Sequence, residues 1–374
     1  MDSEIKVCHL TSVHKSSDVR IFSKECVTLA NNGYDVSVVG IGPTIKNMGI
    51  QLISFPQMTR VKRIVLSAKI MKDIALRVDA EIYHLHDPEL LPLISILKRK
   101  GKRVIFDSHE NVPEQILHKE YLPKFSRRIL SFLYRKFERR MVLKADGIVI
   151  VTPAQRRNFE NVTDKVHLVT NFPTSVFLKG KSRESDEVEK KPQICFAGGV
   201  TSQWSHQIVI ESLTHIPDLK YVFAGPKNEK YLEEILQNPL YIEKVKYLGV
   251  ISREQVERLY EESICGIALL SYNTQVGREG TLGNTKLFEY MKHGLPVICS
   301  DLSIWKDIVT KYECGIVVNP EDEEEVVKAF EFIAKNREKA KQMGNNGREA
   351  FLKEYNWESQ IPQLLHLYER IAQT

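Results

Sequence analysis

The sequence predicts an α/β protein of two domains, each built on a parallel sheet. Three observations carry this. At 374 residues the chain exceeds the roughly 250–300 residues at which a single core stops growing. It opens strand, helix, strand, and strands joined through a helix pair in parallel. Residues 179–191 are charged with almost nothing to bury, and the same alternation restarts after them. The expected divisions are 1–176, a linker at 177–191, 192–355, and a terminal helix within 356–374.

Taken in order, Lys6–Thr11 is an apolar first strand, Ser12–Asp18 a loop, and Val19 begins a helix that ends near Asn31–Gly33. Tyr34–Gly40 is the second strand. Gly40 and Gly42 offer part of a dinucleotide-binding pattern, but Ile45 stands where the third glycine belongs and the pair follows the wrong strand, so that reading is rejected. Residues 50–55 make a strand and 60–78 a basic amphipathic helix. Ile82–His86 and Val104–Glu110 are the next strands. They collect His84, His86, Asp87, Asp107, His109 and Glu110 at the C-terminal ends of adjacent strands, where open α/β sheets bind ligands. Core or capping roles stay open for His84 and Asp107. The residue types suit a metal, but no His-x3-His or similar helical spacing occurs, and no metal is expected. Residues 126–144 form a long helix, followed by strands at Ala145–Pro153 and Val166–Pro173.

In the second half, Gln193–Ala197, Leu219–Gly225, Val245–Gly249, Cys265–Leu270, Val297–Ser300 and Gly315–Val318 read as strands. Gly198 and Gly199 follow the first of these and permit a close phosphate approach. The acidic run Glu321–Glu325 opens a helix, where the dipole favours it. Trp357–Ala372 is a terminal amphipathic helix. Gly280–Asp301 is the stretch richest in chemistry. Gly280, Gly283 and Asn284 make a permissive loop, and Asn284 or Thr285 can cap the helix that follows. Leu287, Met291 and Leu295 share one face. Gly294 stops the helix in a left-handed conformation and Pro296 prevents its continuation. A glycine-rich loop running into a helix N-terminus favours an anion such as phosphate. Glu289, one turn in, can accept bonds from a vicinal diol, and Lys286 lies on the same face. A plain surface helix in which Lys286 and Glu289 pair with each other is the alternative.

This stretch resembles the nucleotide-sugar site of retaining family-4 glycosyltransferases. That resemblance implies the GT-B fold, two Rossmann-like domains facing a central cleft, with a C-terminal helix crossing back to the N-terminal domain. Glu289 matches the second glutamate of the family's Glu-x7-Glu motif, which binds the nucleotide ribose. The first falls at Thr281, so the family's contact to the donor sugar is not carried over. His84-Leu-His-Asp-Pro-Glu-Leu90 and Phe106-Asp-Ser-His-Glu110 resemble N-terminal-domain signatures. His109 matches the histidine beside the donor sugar, and Arg20 falls in a loop facing the cleft. His86, Asp87 and Glu110 are then acceptor-side, with a structural role open for His86 and Asp87. Backbone near Val250 and Ile251 would recognise the base. The family's diphosphate-binding Arg and Lys are missing from Thr201–His206. Lys286, Arg278 or amides around Gly198, Gly199 and Gly283 would replace them, with Thr281, Leu282 and Asn284 lining the same site. Trp204 either stacks on a ligand ring or packs.

The resemblance implies transfer, with retention, of a sugar from a UDP- or GDP-sugar to a glycan acceptor. His109, Lys286 and Glu289 would be catalytic, and neither metal nor cofactor would be needed. Alternatives are a GT-B nucleotide-sugar epimerase and a non-catalytic nucleotide-binding scaffold subunit. A dehydrogenase is disfavoured by the failed glycine pattern.

Net charge is +5, placed unevenly. Residues 115–145 hold nine Lys/Arg against Glu120 and Glu138, a local +7, which leaves about −2 elsewhere. Ile129, Leu133, Phe137 and Met141 make an apolar stripe in this segment, with Arg128, Arg135 and Arg139 off it. Such a helix suits an anionic membrane surface. A solvated face is the alternative, and no nucleic-acid module is apparent. A membrane surface favours a lipid-linked acceptor, as in capsule, O-antigen or exopolysaccharide assembly. No apolar run reaches the length of a membrane span, and the N-terminus does not read as a signal peptide. The six cysteines are scattered, mostly in apolar runs, and are expected to be buried thiols. The expected location is the cytoplasm, peripheral on the inner face of the membrane. The sequon at Asn161 is read as coincidence.

Overall fold

The computed structural model describes residues 4–109, 111–119, 122–175, 190–237, 241–272 and 277–373. The chain divides into two compact units, Met1–Asn171 with Gln360–Thr374, and Phe172–Ser359.

The first unit contains β1 (Lys6–Lys15), α1 (Val27–Asn31), β2 (Asp35–Ile41), β3 (Ile45–Asn47), β4 (Ile50–Phe55), α2 (Arg60–Val78), β5 (Ile82–Leu85), α3 (Leu91–Arg99), β6 (Arg103–Ser108), α4 (Val112–Leu117), α5 (Lys124–Val142), β7 (Gly147–Ile150) and β8 (Val166–Leu168). They form one sheet ordered β3-β4-β2-β1-β5-β6-β7-β8. Only the β3–β4 hairpin is antiparallel among these pairs. The central strands β5 and β7 are buried at every residue, as in parallel sheets covered on both faces. Chain order reverses at β1, which has β2 on one side and β5 on the other. The C-terminal ends of β1 and β5 are therefore the topological switch point, where α/β sheets bind ligands.

Three local features differ from the sequence expectation. β1 continues through most of the expected loop to Lys15, with a register shift after Leu10. The Ser16 amide then bonds the Ile41 carbonyl at 2.9 Å. The helix expected at Val19 opens as a π-helical turn, Val19–Cys26, capped by the Asp18 carboxylate, which accepts from the Arg20 and Ile21 amides. β3 was not expected: its three residues are exposed and carry no apolar alternation.

The second unit contains β9 (Gln193–Ala197), α6 (His206–Ser212), β10 (Lys220–Ala224), α7 (Glu229–Leu236), α8 (Tyr241–Lys244), β11 (Val245–Tyr247), α9 (Arg253–Glu262), β12 (Cys265–Ala268), α10 (Lys286–Lys292), β13 (Val297–Ser300), α11 (Ser303–Tyr312), β14 (Gly315–Val318), α12 (Glu323–Lys335) and α13 (Arg337–Lys353). Its sheet is parallel throughout, ordered β11-β10-β9-β12-β13-β14. The switch point lies between β9 and β12. The last helix, α14 (Ile361–Ala372), belongs to the first unit, where it buries Leu364, Leu367, Tyr368 and Ile371. A Cβ at Gly147 would fall 2.6 Å from Leu367 Cδ1, so the absence of a side chain there lets α14 approach β7.

The division falls after Asn171 rather than after 176, because Phe172 joins the second core, 4.6 Å from the Phe288 ring and 5.6 Å from Tyr355. The Trp357 amide likewise bonds Pro173, so 356–359 belong to the second unit. Positions 177–189 of the expected linker lie outside the described residues. All six cysteines are free and buried, as their apolar neighbours predict. Among the described residues, no helix is long and apolar enough to cross a membrane.

α5 packs Tyr134, Met141 and Val142 on the first core but leaves much of its apolar surface exposed. Its buried side is Ser131, Glu138 and Val142. Phe125, Ile129, Leu130, Phe132, Leu133 and Phe137 are exposed, Phe125 by 78%.

Candidate functional site

In the first unit the strand ends bring charged groups together below the surface. Arg20 is 6% exposed, and His86 and Asp87 are 1% and 2% exposed. Arg20 donates to Asp107 Oδ2 through Nε (3.0 Å) and Nη2 (2.8 Å), and Nη2 also lies 3.1 Å from Glu25 Oε1. This corrects the expectation that Arg20 faces a ligand: it is a buried clamp. Asp87 takes the structural option. Its carboxylate accepts from the Thr11 hydroxyl at 2.8 Å and from the Ser12 and Val13 amides, which fixes the turn in β1. His86 is likewise internal, with Nδ1 3.3 Å from Asp107 Oδ2. Glu110 lies outside the described residues.

His109 remains partly open, its side chain 15% exposed and Nδ1 3.8 Å from Asp107 Oδ1. Burial disfavours its imidazolium, but the Asp107 carboxylate outweighs this and raises its pKa. Asp107 would itself be raised by burial; Arg20, with His109 and His86, instead holds it well below the usual carboxylate range. A cavity of about 130 Å³ opens here, lined by His14, His86, Asp87, Asp107, His109 and Glu138 among others. That is small beside the roughly 300–1,000 Å³ of small-molecule sites. Two of these residues were not picked out from the sequence. His14 sat in an expected loop. Glu138 was one acid within a basic run; its carboxyl is buried, and desolvation pushes it up to about 7.

In the second unit, close backbone packing sets the geometry. The Gly198 amide bonds the Ala224 carbonyl at 2.8 Å. Gly225 has φ +135°, and a Cβ there would fall 2.0 Å from the Gly198 carbonyl oxygen. Only glycine fits at 225. The Lys286 side chain lies across Gly198, whose added Cβ would meet Lys286 Cε at 2.4 Å. Lys286 Nζ stands 5.3 Å from the Phe196 ring centroid. Burial pulls its ammonium down to about 8, with Glu289 opposing. Among the described residues the Lys286 ammonium makes no hydrogen bond or ion pair. Glu289 pairs instead with Arg253, through Nη2 and Oε2, so the expected alternative of a Lys286–Glu289 pair is not formed. Arg253 is a residue that the sequence reading missed, since it lies on α9, 36 positions from its partner.

The remaining expected donor-site residues divide. The Thr281 hydroxyl accepts the Gly283 amide at 2.9 Å, so that amide is already occupied, a correction to its expected role toward phosphate. The Thr281 carbonyl accepts the Trp305 indole N–H at 2.9 Å, and half-buried Leu282 packs on the core. Asn284 Oδ1 accepts the Lys286 amide at 3.3 Å, while Thr285 makes no side-chain cap. Gly294 has φ +62° and ends α10 as expected. Arg278 stacks on Tyr272, 4.0 Å from the ring centroid, and Tyr272 bonds Asp301. Val250 is 77% exposed and shares with Ile251 the turn before Ser252, the cap of α9. A Cβ added at Gly199 would meet Thr201 Cγ2 at 4.0 Å, an ordinary contact. Trp204 packs: it is 9% exposed, 5.0 Å from Phe196.

Two family models match the chain: "Glycosyl transferases group 1" over residues 179–350 and "Glycosyltransferase Family 4" over residues 25–172. No curated protein matches. Among solved structures, sucrose-phosphate synthase from Thermosynechococcus elongatus is similar at TM-score 0.73 and 15% identity, over 98% of this chain and 99% of that one. A glycosyltransferase from Rickettsia africae ESF-5 is similar at TM-score 0.73 and 14% identity, over 99% of each chain. Anabaena Alr3699/HepE in complex with UDP-glucose is similar at TM-score 0.71 and 13% identity, over 98% of this chain and 100% of that one. At such identities the likeness is one of fold.

Proposed function

We propose that this chain, which belongs to the family-4 type of GT-B glycosyltransferases, takes a nucleotide-sugar as donor and moves the sugar with retention to a lipid-linked glycan in cell-surface polysaccharide assembly; Anabaena Alr3699/HepE, similar in fold, is described in complex with UDP-glucose. The observation that carries the donor half is Lys286. It is a cation without an ion pair among the described residues, held over Gly198 at the switch point of the second unit. An ammonium so placed stabilises the charge that develops on a leaving diphosphate. Glu289 would take the ribose hydroxyls. Arg253, paired with Glu289, supplies a second cation where the family's usual Arg and Lys are missing. His109, whose pKa Asp107 raises, would meet the transferred sugar. A UDP-sugar is the donor to try first, since a solved neighbour is described with UDP-glucose. The outward apolar stripe of α5, set among basic residues, supports docking on an anionic lipid surface at the cytoplasmic face. Transfer without a metal at the donor site remains part of the reading.

The test is a thermal-shift screen of UDP, GDP and their sugars, with Glu289→Ala as control, followed by product analysis with a lipid-linked glycan. A bound donor raises the midpoint by mass action. A shift with one donor, lost in the variant, supports the site. Nucleotide release without acceptor points to an epimerase. No shift with any donor overturns the reading.

A further inference from the structure

Beneath the His109 cavity lies a second cluster, made by the sheet itself. β1 and β5 pair in parallel with His9 opposite His84. His84 on β5 and His86 just past its end are two residues apart in extended chain, so they share a face of the sheet. Glu25, on the π-helical turn, closes the group from above. All four residues are at most 1% exposed. Their nearest ligand atoms lie within 4.8 Å of one another. Glu25 Oε2 stands 3.7 Å from His9 Nδ1, 3.8 Å from His86 Nε2 and 4.0 Å from His84 Nδ1, and His9 Nδ1 stands 2.9 Å from His86 Nε2.

A buried carboxylate ringed by three imidazoles is costly unless something compensates it. Neither Glu25 oxygen accepts a hydrogen bond among the described residues. Its one close cation, Arg20, approaches Oε1 at 3.1 Å and leaves Oε2 toward the histidines. The outer partners follow the pattern that orients metal ligands. His86 Nδ1 lies 3.3 Å from Asp107 Oδ2, an ion-pair contact without hydrogen-bond geometry, while Nε2 points inward. His9 has Nε2 3.3 Å from the Tyr368 hydroxyl while Nδ1 points inward. Tyr368 also approaches His84 Nδ1 at 2.8 Å, so this phenol would yield that nitrogen and keep His9. Tetrahedral ligand atoms at the roughly 2.0–2.2 Å of nitrogen and carboxylate ligands to zinc stand about 3.4 Å apart, so the hydrogen-bonded His9–His86 pair must open by about half an ångström while Glu25 and His84 move inward.

We propose that His9, Glu25, His84 and His86 form a closed, four-coordinate site for a divalent transition metal. Three imidazoles and one carboxylate suit zinc, cobalt or nickel and disfavour magnesium or calcium, which prefer oxygen. With every position filled from the protein and no exposure to solvent, the role is structural. The ion ties β1, β5, the π-helical turn and, through Tyr368, α14. It enters as the first unit folds.

The experiment uses the full chain, expressed with zinc supplied and purified without a polyhistidine tag or chelator, and measures metal per chain by mass spectrometry. About one zinc per chain is expected. The protein is then unfolded with a chelator and refolded with Co(II). A visible ligand-field absorption of tetrahedral type and a raised thermal midpoint, relative to refolding without metal, are expected. His84→Ala and Glu25→Gln should each hold at least about tenfold less metal. Because either variant can fail to fold, the wild-type stoichiometry and the Co(II) spectrum decide the matter alone. Folded protein with far less than stoichiometric metal, and with no Co(II) spectrum after refolding, overturns the proposal.

Discussion

Glu138→Gln should stabilise the first unit, and only above about pH 5. Glu138 is 1% exposed. Desolvation, opposed by the Tyr134 hydroxyl at 3.4 Å and by the charge of Arg135, raises its carboxyl from 4.5 to about 7. That is a shift of about 2.5 units, and at roughly 1.36 kcal/mol per unit it amounts to about 3 kcal/mol. A raised pKa means that the folded state holds the proton more tightly than the unfolded state. The stability it contributes is complete below pH 4.5 and is lost as the pH rises through 7. Glutamine keeps the shape and never ionises. Urea unfolding at pH 5 and pH 8, followed by a signal from the first unit, should show the variant within about 1 kcal/mol of wild type at pH 5. At pH 8 it should be roughly 3 kcal/mol more stable. A pH-independent difference, or a variant less stable at pH 8, would refute the account of a carboxyl kept neutral by burial.

Other outcomes follow from the same geometry. Lys286→Met should weaken nucleoside-diphosphate binding about 10- to 100-fold, the worth of a hydrogen bond to a charged group; calorimetry checks it. Wild-type affinity should fall as pH passes about 8, where Lys286 loses its proton, while the variant stays flat. Gly225→Ala combines a left-handed φ with a Cβ 2.0 Å from a carbonyl and should destabilise the second unit by at least about 2 kcal/mol in urea. Phe132→Asp with Leu133→Asp changes only exposed positions; it should abolish sedimentation with anionic phospholipid vesicles and leave the thermal midpoint in place.

What the sequence disclosed depended on how far apart in the chain the cause lay. The apolar runs at β9, β13 and β14 mark those strands residue for residue, because a buried parallel strand is a local pattern. Gly294 and Pro296 end α10 for reasons that are also local. β3 escaped because its pairing is set by its neighbour β4, not by its own residues. The sites were read by type and misread by partner. Arg20 and Asp107 were both noticed, but nothing in the chain announces that residues 87 positions apart neutralise each other. Arg253 and Glu25 were missed for the same reason. α5 was legible as amphipathic, yet it buries Ser131 and Glu138 beside Val142 and leaves Ile129, Leu133 and Phe137 exposed, a choice made by the helices and strands it packs against.

The route of the chain has a consequence for synthesis. The first sheet is translated before the second unit, but the helix that packs on it at Gly147 is translated after the second unit. Until α14 arrives, the surface meant for Leu367, Tyr368 and Ile371 stays wet, and the second unit, whose segments are contiguous, can close first. A nascent chain halted before residue 360 should therefore carry a finished second unit and a sticky, chaperone-binding first one.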